Sequence, residues 1–319
     1  MSSNYQETIN KWHGKPYYSL DAYLQDTYHE KIYKIALNAG LTCPNRDGTL
    51  DTRGCIFCSR GGSGDFAVPL SFPLHFQKSF EEGKARLKQK HTGSRFIAYF
   101  QAYTNTYGPV SYLAQIYKTA LADRETVGIS IATRPDCLQP EILSLLAEIN
   151  EKKTVWVELG LQTIHDDTRV FTRSGFTYET FQKSLFALHA LSIKVIVHLI
   201  LGLPHETREM MSASVQAIAN LPVWGIKLQL LHVLSGTDLA AYYEKTHFPV
   251  FSMDEYCEMI IDCLELLPPE MVIHRITGDG PKDLLIAPMW STGKRTVLNQ
   301  IHRRLKERNT YQGRLATKR

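Results

Sequence analysis

The sequence predicts an α/β protein: a partial (β/α)6 barrel followed by a short C-terminal strand and a basic helix. Three observations carry that expectation. Short β-rich runs alternate with longer stretches of helical periodicity. Several of those runs are continuously apolar, as in Val195-Ile196-Val197 and Leu199-Ile200-Leu201, which is how strands buried on both faces read. No internal repeat or low-complexity block breaks the rhythm.

The expected strands are Lys31–Leu37, Arg95–Tyr103, Thr126–Ala132, Thr154–Gly160, Lys194–Leu201 and Gly225–Leu231. The expected helices are Leu74–Lys90, Val110–Ala122, Pro140–Asn150, Tyr178–Leu191, Glu206–Leu221 and Met253–Leu267. Pro140 suits a first helical turn, where its missing N–H costs little. Strand–helix units in series imply a parallel sheet with right-handed crossovers. Val272–Ile276 reads as one more strand, and a basic amphipathic helix follows with Val297, Ile301 and Leu305 on one face. The expected division is an N-terminal extension over 1–30, a core barrel over 31–268 and a C-terminal extension over 269–319.

Composition is ordinary for a globular protein, 44% hydrophobic and 21% charged. With no apolar run long enough to span a bilayer and no apolar core in the first residues, neither a transmembrane helix nor a secretory signal is expected. The expected compartment is therefore the cytosol, with no membrane partner. The six cysteines then read as thiols or metal ligands rather than disulfides. Net charge is +4, but Trp290–Arg319 holds nine Lys and Arg against one acid, Glu307. Such an end suits an anionic partner such as nucleic acid, or is simply a solvated tail.

Catalytic groups in a (β/α) barrel gather on the loops after the strands. The unusual residues lie there. Cys43 comes after the first strand and, after a gap of eleven residues, is followed by Cys55-Ile56-Phe57-Cys58, amid Gly48, Gly54, Gly61, Gly62 and Gly64. Thiolates suit zinc or an iron–sulfur cluster. A structural zinc site is closed by four protein ligands; one pair plus one suits a cubane with one iron open. Cys137 is a fourth ligand or an idle thiol, and Cys257 and Cys263 read as buried helix positions.

The cysteine loop after a first parallel strand resembles that of the radical S-adenosylmethionine (SAM) superfamily. Its long first gap is similar to the branch that includes the Elongator catalytic subunit and the YhcC/YtqA-type proteins. Thr133-Arg134-Pro135-Asp136, Glu158-Leu159-Gly160-Leu161-Gln162-Thr163 and His198-Leu199-Ile200-Leu201-Gly202-Leu203-Pro204 look like that branch too. Tyr99–Thr106 and Leu231–Thr237 fit the YhcC/YtqA type. The resemblance implies a [4Fe-4S] cluster on Cys43, Cys55 and Cys58. It implies SAM on the open iron, one-electron cleavage to a 5′-deoxyadenosyl radical, and hydrogen abstraction from substrate. It further implies an electron donor such as flavodoxin or ferredoxin.

Under that resemblance Gln101, Ala102, Tyr103 and Thr104 occupy the place of the glycines that meet the SAM amino group. Glu158 and Gln162 are candidates for the SAM ribose or carboxylate, and Ile200 and Gly202 for the adenine. Glu158 instead pairs with a cation such as Arg134 if it is structural. Arg134, Asp136, His198, His274, Arg275 and Asp279 are candidate substrate contacts. His198 alternates with Ile200 and Gly202 and so points into the barrel, as contact or as core residue. The turn from His274 to Pro281 faces the site or is an ordinary turn. Arg303, Arg304 and Arg308 are dense enough to grip phosphates.

The branch points to tRNA as partner, with the C5 side chain of the wobble uridine as the group remodelled. Two other readings stay open: a small-molecule oxidoreductase of the coproporphyrinogen-oxidase kind, and a non-catalytic zinc-stabilised RNA-binding module.

Overall fold

The structure is a computed structural model and describes residues 3–70, 76–88, 93–278 and 280–316. The strands are β1 (Tyr33–Asn38), β2 (Val68–Pro69), β3 (Phe96–Phe100), β4 (Thr126–Thr133), β5 (Thr154–Gln162), β6 (Lys194–Leu201), β7 (Gly225–Leu230), β8 (Val233–Leu234), β9 (Val272–Arg275) and β10 (Leu285–Ala287). The helices are α1 (Ser3–Lys11), α2 (Leu20–Tyr28), α3 (Phe76–Lys88), α4 (Val110–Ala122), α5 (Pro140–Asn150), α6 (Asp166–Phe171), α7 (Tyr178–Ala190), α8 (Arg208–Ala219), α9 (Asp238–Thr246), α10 (Met253–Leu266) and α11 (Lys294–Glu307).

Each expected strand and helix is present within a few residues, and the ends of the expected Leu74–Lys90 helix lie outside the described residues. The sheet has eight strands in the order β2-β1-β3-β4-β5-β6-β7-β9, every neighbouring pair parallel. It is two strands wider than six units supply. β2 adds to one edge, and β9 joins β7 at the other. Among the described strands these two edges are not bonded to each other, so the barrel stays open along one side. A separate two-stranded antiparallel piece, β8 with β10, stands beside the mouth.

Strand parity sorts the side chains. Ile35, Phe100, Ile129, Val157, Val197 and Leu228 point outward into one large core beneath the helices. The other parity turns Lys34, Tyr99, Ser130, Glu158, His198 and Lys227 into the barrel. Helix starts follow capping chemistry: Thr177, Thr207 and Thr237 each accept from a first-turn N–H, and Ser252 with Glu255 makes a full capping box.

The N-terminal segment closes the bottom of the barrel. Leu24 of α2 is buried with Ile97, Trp156 and Ile196, and the Tyr23 ring lies 4.9 Å from that of Trp224. At the far end of the chain Gln312 ties this plug down. Its amide donates to the carbonyls of Pro268 and Met271, and its carbonyl accepts from the Tyr18 N–H.

Candidate active site

One cavity of about 1160 Å³ fills the upper barrel and opens between the strand-end loops. Cys43, Cys55 and Cys58 all line it, brought there by the loop between β1 and β2. The loop is wound tightly. The Cys58 N–H bonds the Cys55 carbonyl at 3.0 Å, and Gly54 sits at φ +80° with its N–H on the Asn45 carbonyl at 2.7 Å. A Cβ on Gly54 would lie 2.9 Å from Nε of Arg46. Arg46 in turn donates to the carbonyls of Cys58 (2.9 Å) and Ser59 (2.7 Å). The Asn45 amide donates to the Cys55 sulfur at 3.5 Å and to the Arg173 carbonyl at 2.7 Å. Loop and neighbouring turn thus fix each other.

The three thiols are brought to one cavity by a single loop. Among the described residues no three His, Cys, Asp or Glu side chains converge as the ligands of a single ion do. A cubane, which takes each thiolate on a different iron, suits that spread. Cys137 is buried and lies on a different groove, and Cys257 and Cys263 belong to the core face of α10. Burial pushes the Cys55 thiol up to about 12, so it stays protonated until a metal takes the proton's place.

The loop after β3 docks onto the cysteine loop through two glycines. A Cβ on Gly62 would fall 2.4 Å from the Tyr103 ring, and one on Gly64 2.4 Å from Cβ of Ala102. Tyr103, at φ +59°, donates its hydroxyl to the Arg60 carbonyl at 2.5 Å. Gln101 donates to the Ser63 carbonyl at 2.6 Å. Gln101, Tyr103 and Thr104 line the cavity. Ala102 does not: its side chain is fully buried against Gly64.

The cavity floor is a charge cluster around Glu158. One carboxylate oxygen accepts from Lys34 (2.7 Å) and Ser130 (2.6 Å). The other accepts from Tyr99 (3.0 Å), His198 (2.7 Å) and Lys227. Burial opposes ionisation here, yet Lys227 and Lys34 outweigh it and hold the Glu158 carboxyl well below its usual range. Burial lowers Lys227 to about 7 despite Glu158 beside it. Burial, then the Lys227 ammonium, lowers His198 to about 4, so the imidazole is neutral. Glu158 is therefore corrected twice over. Its oxygens are occupied by protein donors rather than open to a ribose, and its cations are Lys34 and Lys227 rather than Arg134.

Arg134 faces the cavity but forms a two-pronged pair with Asp136 at 2.9 and 2.7 Å. Asp136 itself turns away into the groove that holds Cys137, outside the cavity. Gln162, at φ +67° after a register shift, folds its amide over Gly160 and lines the cavity, as does Ile200. Gly202 is not among the lining residues: at φ +90°, a Cβ there would fall 3.1 Å from the Phe251 ring. His274 lies low in the barrel between Trp156 and Trp224, with ring centroids 5.7 and 5.0 Å away. Arg275 lines the cavity, and Asp279 lies outside the described residues. The turn they belong to wraps His232: a Cβ on Gly278 would fall 2.2 Å from its imidazole.

Two of the three α11 arginines expected to grip phosphates are paired with acids of α10. Arg304 pairs with Asp254 (2.5 Å) and Glu258 (2.6 Å) of α10, and Arg308 pairs with Glu258. Arg303 stays exposed beside Glu307 at 3.7 Å. None of the three lines the cavity. Exposed basic groups at the rim are instead Lys282 and Lys294. Lys34, Lys227 and Tyr99 escaped the sequence reading as site residues. Their signal was a polar group at an inward position of an apolar strand.

An open parallel barrel with three thiols at its mouth is the architecture of radical SAM proteins, and sequence comparison agrees. The profile of the Radical SAM superfamily matches residues 51–218 and that of the Radical SAM C-terminal domain matches 223–307. The chain belongs to the radical SAM superfamily, whose cofactors are a [4Fe-4S] cluster and SAM. It is 45% identical to the protein YtqA of Bacillus subtilis over 94% of this chain and 92% of that one. It is 33% identical to YhcC of Escherichia coli over 88% and 89%. A tRNA uridine(34) acetyltransferase of Methanocaldococcus jannaschii is 28% identical over 52% of this chain and 30% of that protein. Among solved structures, the fold is similar to Elp3 of Methanocaldococcus infernus, with TM-score 0.66 at 16% identity over 88% of this chain and 64% of that one. Membership of an enzyme superfamily sets aside the non-catalytic zinc module.

Proposed function

We propose that this radical SAM enzyme acts on tRNA, remodelling the C5 side chain of the wobble uridine, for example by trimming a carboxymethylaminomethyl group to aminomethyl. The observation that carries the reading is the rim of the cavity. Cys43, Cys55 and Cys58 line the cavity, and its lining also carries the exposed Lys282 and Lys294, interspersed with the exposed acids Asp65 and Asp283, so that an RNA backbone would meet ammoniums there. Similarity to an enzyme named for uridine 34 of tRNA supports the same substrate class.

In this reading Cys43, Cys55 and Cys58 hold the cluster, and Gln101, Tyr103, Thr104, Gln162 and Ile200 surround SAM. When bound, the two cofactors supply a 5′-deoxyadenosyl radical that takes a hydrogen atom from the substrate. The chain itself orients the partners and keeps bulk water out through the α2 plug below. A flavodoxin or ferredoxin supplies the electron, and the enzyme works in the cytosol; no described helix is long and apolar enough to cross a membrane. The test compares modified nucleosides in tRNA from cells with and without the gene. Accumulation of the carboxymethylaminomethyl form on deletion is expected, and an unchanged nucleoside profile would retire the reading in favour of a small-molecule substrate.

A further inference from the structure

While Lys227 is protonated, the floor of the cavity is one negative charge short. Two ammoniums, Lys34 and Lys227, face the single carboxylate of Glu158, and the side chains around them, Tyr99, Ser130 and His198, bring no second acid. The Arg275 guanidinium adds to the positive field felt by both lysines. Removing an unbalanced charge from water is costly, and a purely structural network of this size is expected to balance. The cluster is also incomplete in hydrogen bonds. Each ammonium has three N–H donors. Lys34 spends two on Glu158 and Ser130, and Lys227 spends two on Glu158 and Tyr99. Both lysines line the cavity.

We infer that the floor is a subsite for a substrate carboxylate, held by the remaining N–H donors of Lys34 and Lys227 and completing the charge that Glu158 leaves unbalanced. A monoanion balances the excess of the two lysines over Glu158. Glu158 is a positioning residue in this arrangement: it fixes both ammoniums side by side without touching the ligand. The identity of the substrate rests on the wobble-uridine reading, in which the carboxymethylaminomethyl group carries one carboxylate; the anion subsite stands on the floor alone.

The test uses the anaerobically reconstituted full-length enzyme with SAM. Binding is measured to RNA hairpins whose wobble uridine carries carboxymethylaminomethyl, aminomethyl or no substituent. The carboxylate-bearing hairpin should bind about tenfold or more tightly than the other two, the usual worth of a hydrogen bond to a charged group. Lys227→Gln and Lys34→Gln should each shrink that preference. Equal binding of all three hairpins to the wild type overturns the subsite and leaves the RNA reading intact, and this comparison needs no variant to fold. In a second arm, thermal midpoints are compared with N-methylglycine and with N-methylglycinamide, which keeps the amine and lacks the carboxylate, as probes. If no hairpin binds, a midpoint raised by the acid alone in the wild type, and not in Lys227→Gln, retires the RNA reading and keeps the subsite. Equal midpoints with acid and amide overturn it. Weaker SAM binding in both variants, with hairpin discrimination unchanged, assigns the floor to the cofactor and also overturns it.

Discussion

Lys227 on β7 reaches across β6 to hydrogen-bond Glu158 on β5, inside the barrel and away from solvent. The pair makes Glu158 a keystone rather than a ligand. Glu158→Ala should therefore destabilise the whole protein by about 3–5 kcal/mol, because two ammoniums lose their counter-charge. Denaturant unfolding of the reconstituted enzyme checks this. A variant of normal stability that fails only to bind SAM would return Glu158 to the cofactor.

The same pair has a pH signature. The pKa of Lys227 falls from 10.5 to about 7 on folding. Between those values the unfolded chain binds more protons than the folded one, so Lys227 makes stability rise with pH across that window. Glu158, Lys34, Arg275, Tyr99, His198 and His274 face it. Glu158 is already charged there and His198 already neutral, so neither follows the same slope. Unfolding midpoints measured from about pH 7 to about pH 9 should climb more steeply in the wild type than in Lys227→Met. Parallel curves would mean that the lysine stays protonated.

The metal centre makes a sharper contrast. Cys43→Ala, Cys55→Ala and Cys58→Ala should each lose the roughly four irons of a cubane, while Cys137→Ala keeps them. Iron and sulfide analysis after anaerobic reconstitution decides the matter. Iron loss in Cys137→Ala would bring the second groove into the site.

Glycine packing beneath the cysteines offers a test that removes no ligand. A methyl at Gly64 would fall 2.4 Å from Cβ of Ala102 and 2.7 Å from its backbone. Gly64→Ala should fold normally by circular dichroism yet hold less iron and bind SAM several-fold more weakly, since the two rim loops must separate. Full iron occupancy would show that the loops move without consequence.

RNA affinity should depend on the rim rather than on the far end of α11. Changing Lys282 and Lys294 together to Gln should flatten the salt dependence of tRNA binding by up to about two units of slope. Changing Arg303, Arg304 and Arg308 should instead loosen α11 from α10. Equal effects on the slope would restore the terminal helix as a phosphate contact.

The barrel was legible because strands alternate with helical stretches and because strands buried on both faces leave apolar runs, as β6 shows in Val195-Ile196-Val197 and Leu199-Ile200-Leu201. β2, β8 and β10, of two or three residues each, carry no periodicity, and tertiary pairing alone makes them strands. α1, α2, α6 and α9 are short enough that packing decides them too. The cysteine loop was readable from spacing. The floor was not, because Lys34 and Lys227 are single residues within runs taken for core. The arginines of α11 show a missed pattern of another kind. Arg304 and Arg308 lie four apart, opposite Asp254, Glu258 and Asp262 of α10, also four apart. One helix read alone looked like a surface for phosphate, while the pair makes a zipper.

The two edges of the sheet, β2 and β9, stand apart. The β9 edge does not face an empty gap: the Ile273 N–H donates to the Tyr18 carbonyl at 2.8 Å, and Ser19 bridges Ile273 in parallel. The segment before α2 therefore does at this edge what a further strand would do, and shortening it would strip the barrel of its last backbone partner as well as of its floor.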